Sequence, residues 1–259
     1  MDEFINDIKP DINVREKEYK RLLGYPADYE LQGRAAELAD QARKWYTENG
    51  KPWVYAIKTN KIDIINGKAR IKGREFTSKE LYSQISRGKV NSVFLLAVSA
   101  GKECEEISHQ LWEEGKPDEY FFNEIFGSAV VEHLLTNICA MFCNWAGKQH
   151  LVVLPQHSPG YSGWEISEQE ALWDLICNGN RNILPGRIEV LSSGMLNPKK
   201  SLLAVFGISA CQDKIQNLSD MIPCKTCSFL SCQYRKSDFK YPLRLFEDVS
   251  QLQSKAANC

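Results

Sequence analysis

A mixed α/β fold of the α+β type is predicted by three observations. A stretch with period two carries an Asn-Gly turn, a long segment is apolar almost all round, and helices and strands do not alternate as regular βαβ units. The 259 residues allow one large domain or a domain with an appendage. With 43% hydrophobic and 25% charged residues, a disordered chain, a collagen-like fibre and a coiled coil are excluded. Lys+Arg 32 against Asp+Glu 33 leaves a net charge of −1, which argues against coating nucleic acid or an anionic membrane.

Residues 13–23 read as a short amphipathic helix stopped by Gly24 and Pro26. A second helix is expected from about Asp28 to Glu48, because Leu31, Ala35, Leu38, Ala39, Ala42, Trp45 and Tyr46 form one stripe. Between Trp53 and Phe76, Ile62, Ile64, Ala69 and Ile71 alternate with polar residues. Asn66-Gly67 between the two runs is a hairpin signal, since both central residues of such a turn need positive φ. Thr77 to Glu80 reads as a capping box opening a helix with Leu81 and Ile85. Val93–Val98 is a continuous apolar run, expected as a buried strand, and a helix follows to about Gly115. Asp118 to Trp145 is expected as the central buried helix, with Phe122, Ile125, Phe126, Ala129, Val130, Leu134, Met141 and Phe142 inside. Further strands are expected at Leu151–Leu154, Ile188–Leu191 and Leu202–Ile208, with a helix opened by a Ser167/Glu170 capping box running through Ile176.

No segment approaches the roughly 18–20 uninterrupted apolar residues that span a bilayer. The start, acidic and then mixed in charge, lacks the basic and apolar regions of a signal peptide. Both readings place the chain in the reducing cytosol, without nucleic-acid or membrane partners. Its nine cysteines are then expected as thiols or metal ligands rather than disulfides.

Three constellations stand out. Ser158-Pro159-Gly160-Tyr161-Ser162-Gly163-Trp164 lies between a strand and a helix, where backbone N–H groups and a helix N-terminus suit an anionic ligand and Tyr161 and Trp164 suit stacking on a flat ring. The competing reading is a Pro-Gly turn with two aromatics packed on the core. Ser193 to Ser201, SGMLNPKKS, reads alone as a turn with two solvated lysines. Cys224-x2-Cys227-x4-Cys232, followed by Arg235, gathers thiolates suited to a soft metal, with Cys211 as the nearest fourth ligand and Cys259 as an alternative. The spacing leaves zinc, an iron–sulfur cluster and free thiols open. Cys104, Cys139, Cys143 and Cys177 fall on helices and read as packing residues. His157 adjoins the Pro-Gly loop and carries functional weight, whereas His133 reads as a hydrogen-bonded core histidine.

Taken together, Gln156-His157-Ser158-Pro159-Gly160-Tyr161, the Ser167-Glu168-Gln169 helix start and Ser193 to Ser201 resemble the activation (reactivation) domain of cobalamin-dependent methionine synthase. The resemblance is closer still to its short stand-alone relatives, some of which carry a C-terminal C-x2-C-x4-C-x2-R tail. Val93–Val98 and Gly127 to Glu132 fit the same pattern, so the likeness covers about residues 13–210.

What the resemblance implies is a single curved domain, residues 1–210, with a twisted, mainly antiparallel sheet flanked by helices, and a cysteine-bearing extension at 211–259. It implies S-adenosylmethionine bound at Gln156, His157, Ser158, Pro159, Gly160 and Tyr161, and docking over the corrinoid of a partner methyltransferase. There an inactive cob(II)alamin is reduced by an electron donor and remethylated, docking supplying proximity. The metal set would be Cys211, Cys224, Cys227 and Cys232. At Gln156 the family loop carries Arg, which clamps a carboxylate bidentately where a neutral amide cannot. His157 and Lys199 are the nearby candidates to restore the charge. The alternative expectation is a zinc- or iron–sulfur-bearing electron-transfer or docking module for a corrinoid protein, without methyl transfer.

Overall fold

The computed structural model describes residues 4–26, 28–177 and 184–210, together with Cys224, Cys232 and Arg235. Its centre is a five-stranded sheet of β1 (Phe4–Asp7), β2 (Trp53–Thr59), β6 (Val90–Ser99), β10 (Ser201–Ser209) and β7 (Val152–Val153), in that spatial order. Every pairing is antiparallel. The sheet is curved and flanked by helices, as expected.

The sheet is buried on both faces, and period two divides its residues between two cores. Val54, Ala56, Phe94, Leu96, Val98, Ala204 and Phe206 face one core. Tyr55, Ile57, Val93, Leu95, Ala97, Leu203 and Val205 face the other. This double burial explains why Val93–Val98 reads as a continuous apolar run rather than an alternating one.

The first core is covered by α1 (Glu16–Leu23), α2 (Gly33–Asn49), α4 (Glu103–Glu113) and α5 (Pro117–Gly147). The 31 residues of α5 bury Phe122, Ile125, Phe126, Ala129, Val130, Leu134, Ile138, Phe142 and Ala146 at steps of three and four. Phe142 stacks on Phe94 with ring centroids 3.9 Å apart, and Phe206 meets its edge. By length and composition α5 is long and apolar enough to cross a membrane, yet most of its apolar stretch is packed in this core. Met141, expected inside, is 46% exposed, because it falls on the outer arc between Ile138 and Phe142.

The second core lies under a meander of β3 (Ile62–Ile65), β4 (Lys68–Ile71) and β5 (Arg74–Phe76), with α3 (Lys79–Arg87) and α6 (Gln169–Cys177). Asn66 and Gly67 adopt φ of 51° and 75°, as the hairpin turn demands. A small ribbon of β8 (Glu189–Val190) and β9 (Leu196–Asn197) completes this side.

Several boundaries differ from expectation. α2 starts at Gly33, not Asp28. The cap of α3 is Ser78, whose hydroxyl accepts from Leu81 N at 3.1 Å, one residue later than the expected box. No Ser167/Glu170 box forms: a 3-10 turn, Ile166–Glu168, precedes α6, and the Glu168 carboxylate turns inward to Trp164 and Thr77. β1 and β9 escape the sequence patterns because each is too short to show periodicity and is defined only by its partner strand.

Candidate functional site

The loop after β7 is zipped to the sheet edge. Leu154 N donates to Gly207 O at 2.8 Å, and His157 and Val205 exchange both backbone hydrogen bonds at 3.0 and 2.8 Å. Gln84 of α3 donates from Nε2 to the Pro155 carbonyl at 2.9 Å. This anchoring buries Gln156, His157, Ser158 and Pro159, leaves Gly160 exposed and half-buries Tyr161.

The turn then closes on itself. Tyr161 N donates to Ser158 O, Gly160 N to Trp164 O and Trp164 N to Tyr161 O, all at 2.9–3.0 Å. Gly160 sits at φ 89°, a conformation L side chains rarely adopt. The amides of His157, Gly160, Tyr161 and Trp164 are therefore already engaged, and a 3-10 turn stands where a helix N-terminus was expected. What the loop offers a ligand is side chains and shape. Trp164 is not a stacking platform either: it is 3% exposed, its ring meets Phe76 edge-on at 5.6 Å, and Nε1 donates to Glu168 at 2.7 Å.

The polar atoms converge on Tyr161. Gln156 Nε2 donates to the Tyr161 hydroxyl at 3.4 Å. Ser158, 1% exposed, faces that hydroxyl without a hydrogen bond of regular geometry, so its Oγ is buried and unpartnered. The phenol is pushed well above its ordinary value, first by burial and then by the negative charge of Glu132; the contacts with Gln156 and Ser158 act in the opposite sense. Glu132, on α5, thus acts on the phenol through its charge, though it was not among the expected ligand residues. Its signal in the sequence is a carboxylate set in the apolar run Val130, Val131, Leu134.

His157 cannot supply the charge that Gln156 lacks at neutral pH. Burial lowers it to about 4, so the ring is neutral, with Glu80 3.9 Å away and itself raised by burial. Lys199 is committed elsewhere, to Glu124 of α5 at 2.9 Å; Lys200 reaches the same carboxylate at 3.2 Å and Ser128 Oγ at 2.9 Å. The two lysines of the second loop are therefore a half-buried ion-pair cluster and not solvated charges. Burial would raise Glu124, but the polar contact with Ser108, the hydrogen bond from Lys199 and the two lysine charges win and lower it.

The second loop nonetheless meets the first. Gly194, at φ 82°, packs so closely on Ile166 that a Cβ there would stand 2.9 Å from the Ile166 carbonyl oxygen. A Cβ on Gly160 would stand 3.6 Å from Ile166 Cδ1. One isoleucine thus separates the two glycine turns. A cleft of about 380 Å³ opens between α4 and α5, lined by Ser108, His109, Trp112, Tyr120 and Lys199; the Gln156–Tyr161 loop has no part in its lining.

Of the expected metal ligands, Cys211 and Cys227 lie outside the described residues, as does Cys259. Cys224 and Cys232 are half-buried, and Arg235 links them: its amide donates to Cys232 O at 3.1 Å and its Nη1 to Cys224 O at 2.8 Å. Arg21 of α1 donates from Nη1 to Arg235 O at 3.2 Å. Among the described residues no three His, Cys, Asp or Glu side chains are grouped to hold a metal ion.

Of the helical cysteines, Cys104 and Cys177 are buried as packing residues, and burial pushes the Cys104 thiol up to about 12. Cys139 and Cys143 are only half-buried, and a hydrogen bond between them lowers Cys143 to about 7. His133 is half-buried with its Nε2 accepting from Asn13 N at 3.2 Å, a structural role as expected.

Among solved structures, the chain superposes on the crystal structure of the MetH reactivation domain bound to AdoHcy, with a TM-score of 0.59, covering 83% of this chain and 80% of that one. This protein has the MetH reactivation-domain fold. Identity over the match is 10%, so the likeness is one of fold alone. No protein-family model matches the sequence, and no curated protein does.

Proposed function

We propose that this protein is a reactivation-domain-like accessory of a cobalamin-dependent methyltransferase, binding S-adenosylmethionine at the loop Gln156–Tyr161 while docked on a corrinoid-bearing partner. The observation that supports this reading is the convergence of Gln156 and Ser158 on Tyr161, within reach of the Glu132 charge, at a sheet-anchored Pro-Gly-Tyr turn, in a fold shared with a domain that binds AdoHcy. The unpartnered Ser158 Oγ leaves a hydrogen bond for a ligand to complete, and the uncovered Gly160 lets a ligand approach the backbone. The negative charge of Glu132, which acts on Tyr161, would favour a positively charged sulfonium near the loop. Bound S-adenosylmethionine supplies an electrophilic methyl group, which its positive sulfur activates. The chain's own part is to hold the ligand at the loop and to present it to the partner.

Gln156 can donate one amide hydrogen bond to a ligand carboxylate but not a paired guanidinium clamp, so affinity for the amino-acid end is expected to be modest. In this reading residues 1–210 form the ligand-binding part and 211–259 its cysteine-bearing extension. Titration calorimetry with S-adenosylmethionine is the test. Binding that disappears in Tyr161→Ala is the expected result, and no heat at millimolar ligand removes the methyl-donor role.

A further inference from the structure

The cleft between α4 and α5 is a second concave site, and the loop Gln156–Tyr161 takes no part in it. Ser108, His109 and Trp112 follow Glu105 by three, four and seven positions, so one face of α4 lines it. Tyr120 of α5 and Lys199 complete a volume of about 380 Å³, inside the roughly 300–1,000 Å³ of small-molecule sites. Trp112 and Tyr120 meet edge to face with ring centroids 5.3 Å apart, and Lys199 Nζ stands 5.9 Å over the Tyr120 ring. Trp112 nonetheless remains 63% exposed. An indole held open at the mouth of a cleft is a platform on which a flat ring can stack.

The inner end of the cleft is polar and incompletely bonded. Ser108 is 2% exposed, and although its hydroxyl touches Glu124, neither Ser108 Oγ nor Glu124 Oε1 completes a hydrogen bond of regular geometry. Lys199 and Lys200 pair with Glu124 at 2.9 and 3.2 Å, and Glu105 adds a second carboxylate to the lining. The two lysines offset the two carboxylates, which favours a neutral ligand over an ion. Ionised carboxylates accept hydrogen bonds and cannot donate them, so the ligand edge that suits Glu105 carries N–H donors.

We propose that this cleft binds a neutral, flat heteroaromatic ring with adjacent N–H donors on one edge, a guanine-type nucleobase. The ring stacks on Trp112 and turns its donor edge to Ser108 and Glu105, while Glu124 is a positioning residue behind the Ser108 hydroxyl. Stacking with hydrogen bonds to one base edge is a general way of reading a single base.

Guanosine is the probe, titrated against the full chain by saturation-transfer NMR. A dissociation constant below about 1 mM is expected, and no saturation transfer at that concentration overturns the proposal. Trp112→Ala removes an exposed side chain and is expected to weaken binding by about fivefold or more, the loss of one stacking platform. Glu105→Gln and Ser108→Ala are expected to weaken it by about threefold or more, and inosine, which lacks the exocyclic amine, to bind more weakly than guanosine. Guanosine affinity unchanged in Trp112→Ala places the ring elsewhere and sinks the assignment. The same titration with S-adenosylmethionine present separates this site from the loop. Undiminished guanosine binding supports two sites, whereas competitive displacement refutes a separate one. If S-adenosylmethionine does not bind at all, the function proposed above falls, and the Trp112 and Glu105 variants decide the cleft by themselves.

Discussion

Trp164 donates its indole N–H to Glu168 Oε2 at 2.7 Å, and the same carboxylate accepts from Thr77 N at 3.1 Å. One acidic side chain thereby fastens the end of the Pro-Gly-Tyr turn to the start of α3. Glu168→Ala would leave a buried indole N–H unpaired, which costs about 1–3 kcal/mol. The expected outcome is a lower urea midpoint with a shifted tryptophan emission, and an unchanged midpoint would show that the bond contributes nothing.

The cap of α3 gives a second, sharper comparison. Ser78 is 1% exposed and accepts from Leu81 N, while Thr77 lies outside the helix with its side chain exposed. Ser78→Ala is expected to cost about 1 kcal/mol. Thr77→Ala should stay within about 0.5 kcal/mol. Equal losses in chemical denaturation would return the cap to Thr77.

His157 links stability to pH. The folded state holds it neutral with a value of about 4, whereas the unfolded chain protonates it near 6.5. Its contribution is therefore complete above pH 6.5 and is lost progressively as pH falls toward 4. At about 1.4 kcal/mol per pH unit the loss reaches up to about 3 kcal/mol. Urea midpoints across this window should fall more steeply for the wild type than for His157→Gln; parallel curves would refute the assignment.

The Cys139–Cys143 pair is expected to be chemically distinct from the buried thiols. Alkylation of Cys143 should reach half its maximal rate near pH 7, because the hydrogen bond with Cys139 favours its thiolate. Cys139→Ala should move that midpoint up toward the ordinary thiol range, near 8.5. Cys104, sealed in the core, should remain unlabelled below about pH 10 in the folded protein.

At the ligand loop, Gln156→Arg would restore the guanidinium fork that the amide lacks. An increase of tenfold or more in S-adenosylmethionine affinity is expected by calorimetry, equivalent to about 1.4 kcal/mol. An unchanged affinity would mean that position 156 does not face the ligand carboxylate.

Local pattern carried much of the architecture. Asn66-Gly67 specifies its hairpin because few other pairs adopt the required positive φ values, and the period of α5 follows from one apolar side chain every three or four residues. The loop at 156–161 stood out for the same kind of reason, a Pro-Gly turn between a strand and a helix. Long-range contacts settled the rest. The inward turn of Trp164 depends on Glu168 and Phe76, the neutrality of His157 on its burial against β10, and the pairing of Lys199 and Lys200 on Glu124, 75 residues or more upstream. The influence of the Glu132 charge on Tyr161 likewise required α5 to pack near the loop. Backbone preference acts over a few residues and leaves its mark in the order of the letters; burial and charge pairing act through space, and they exist only once the chain has folded.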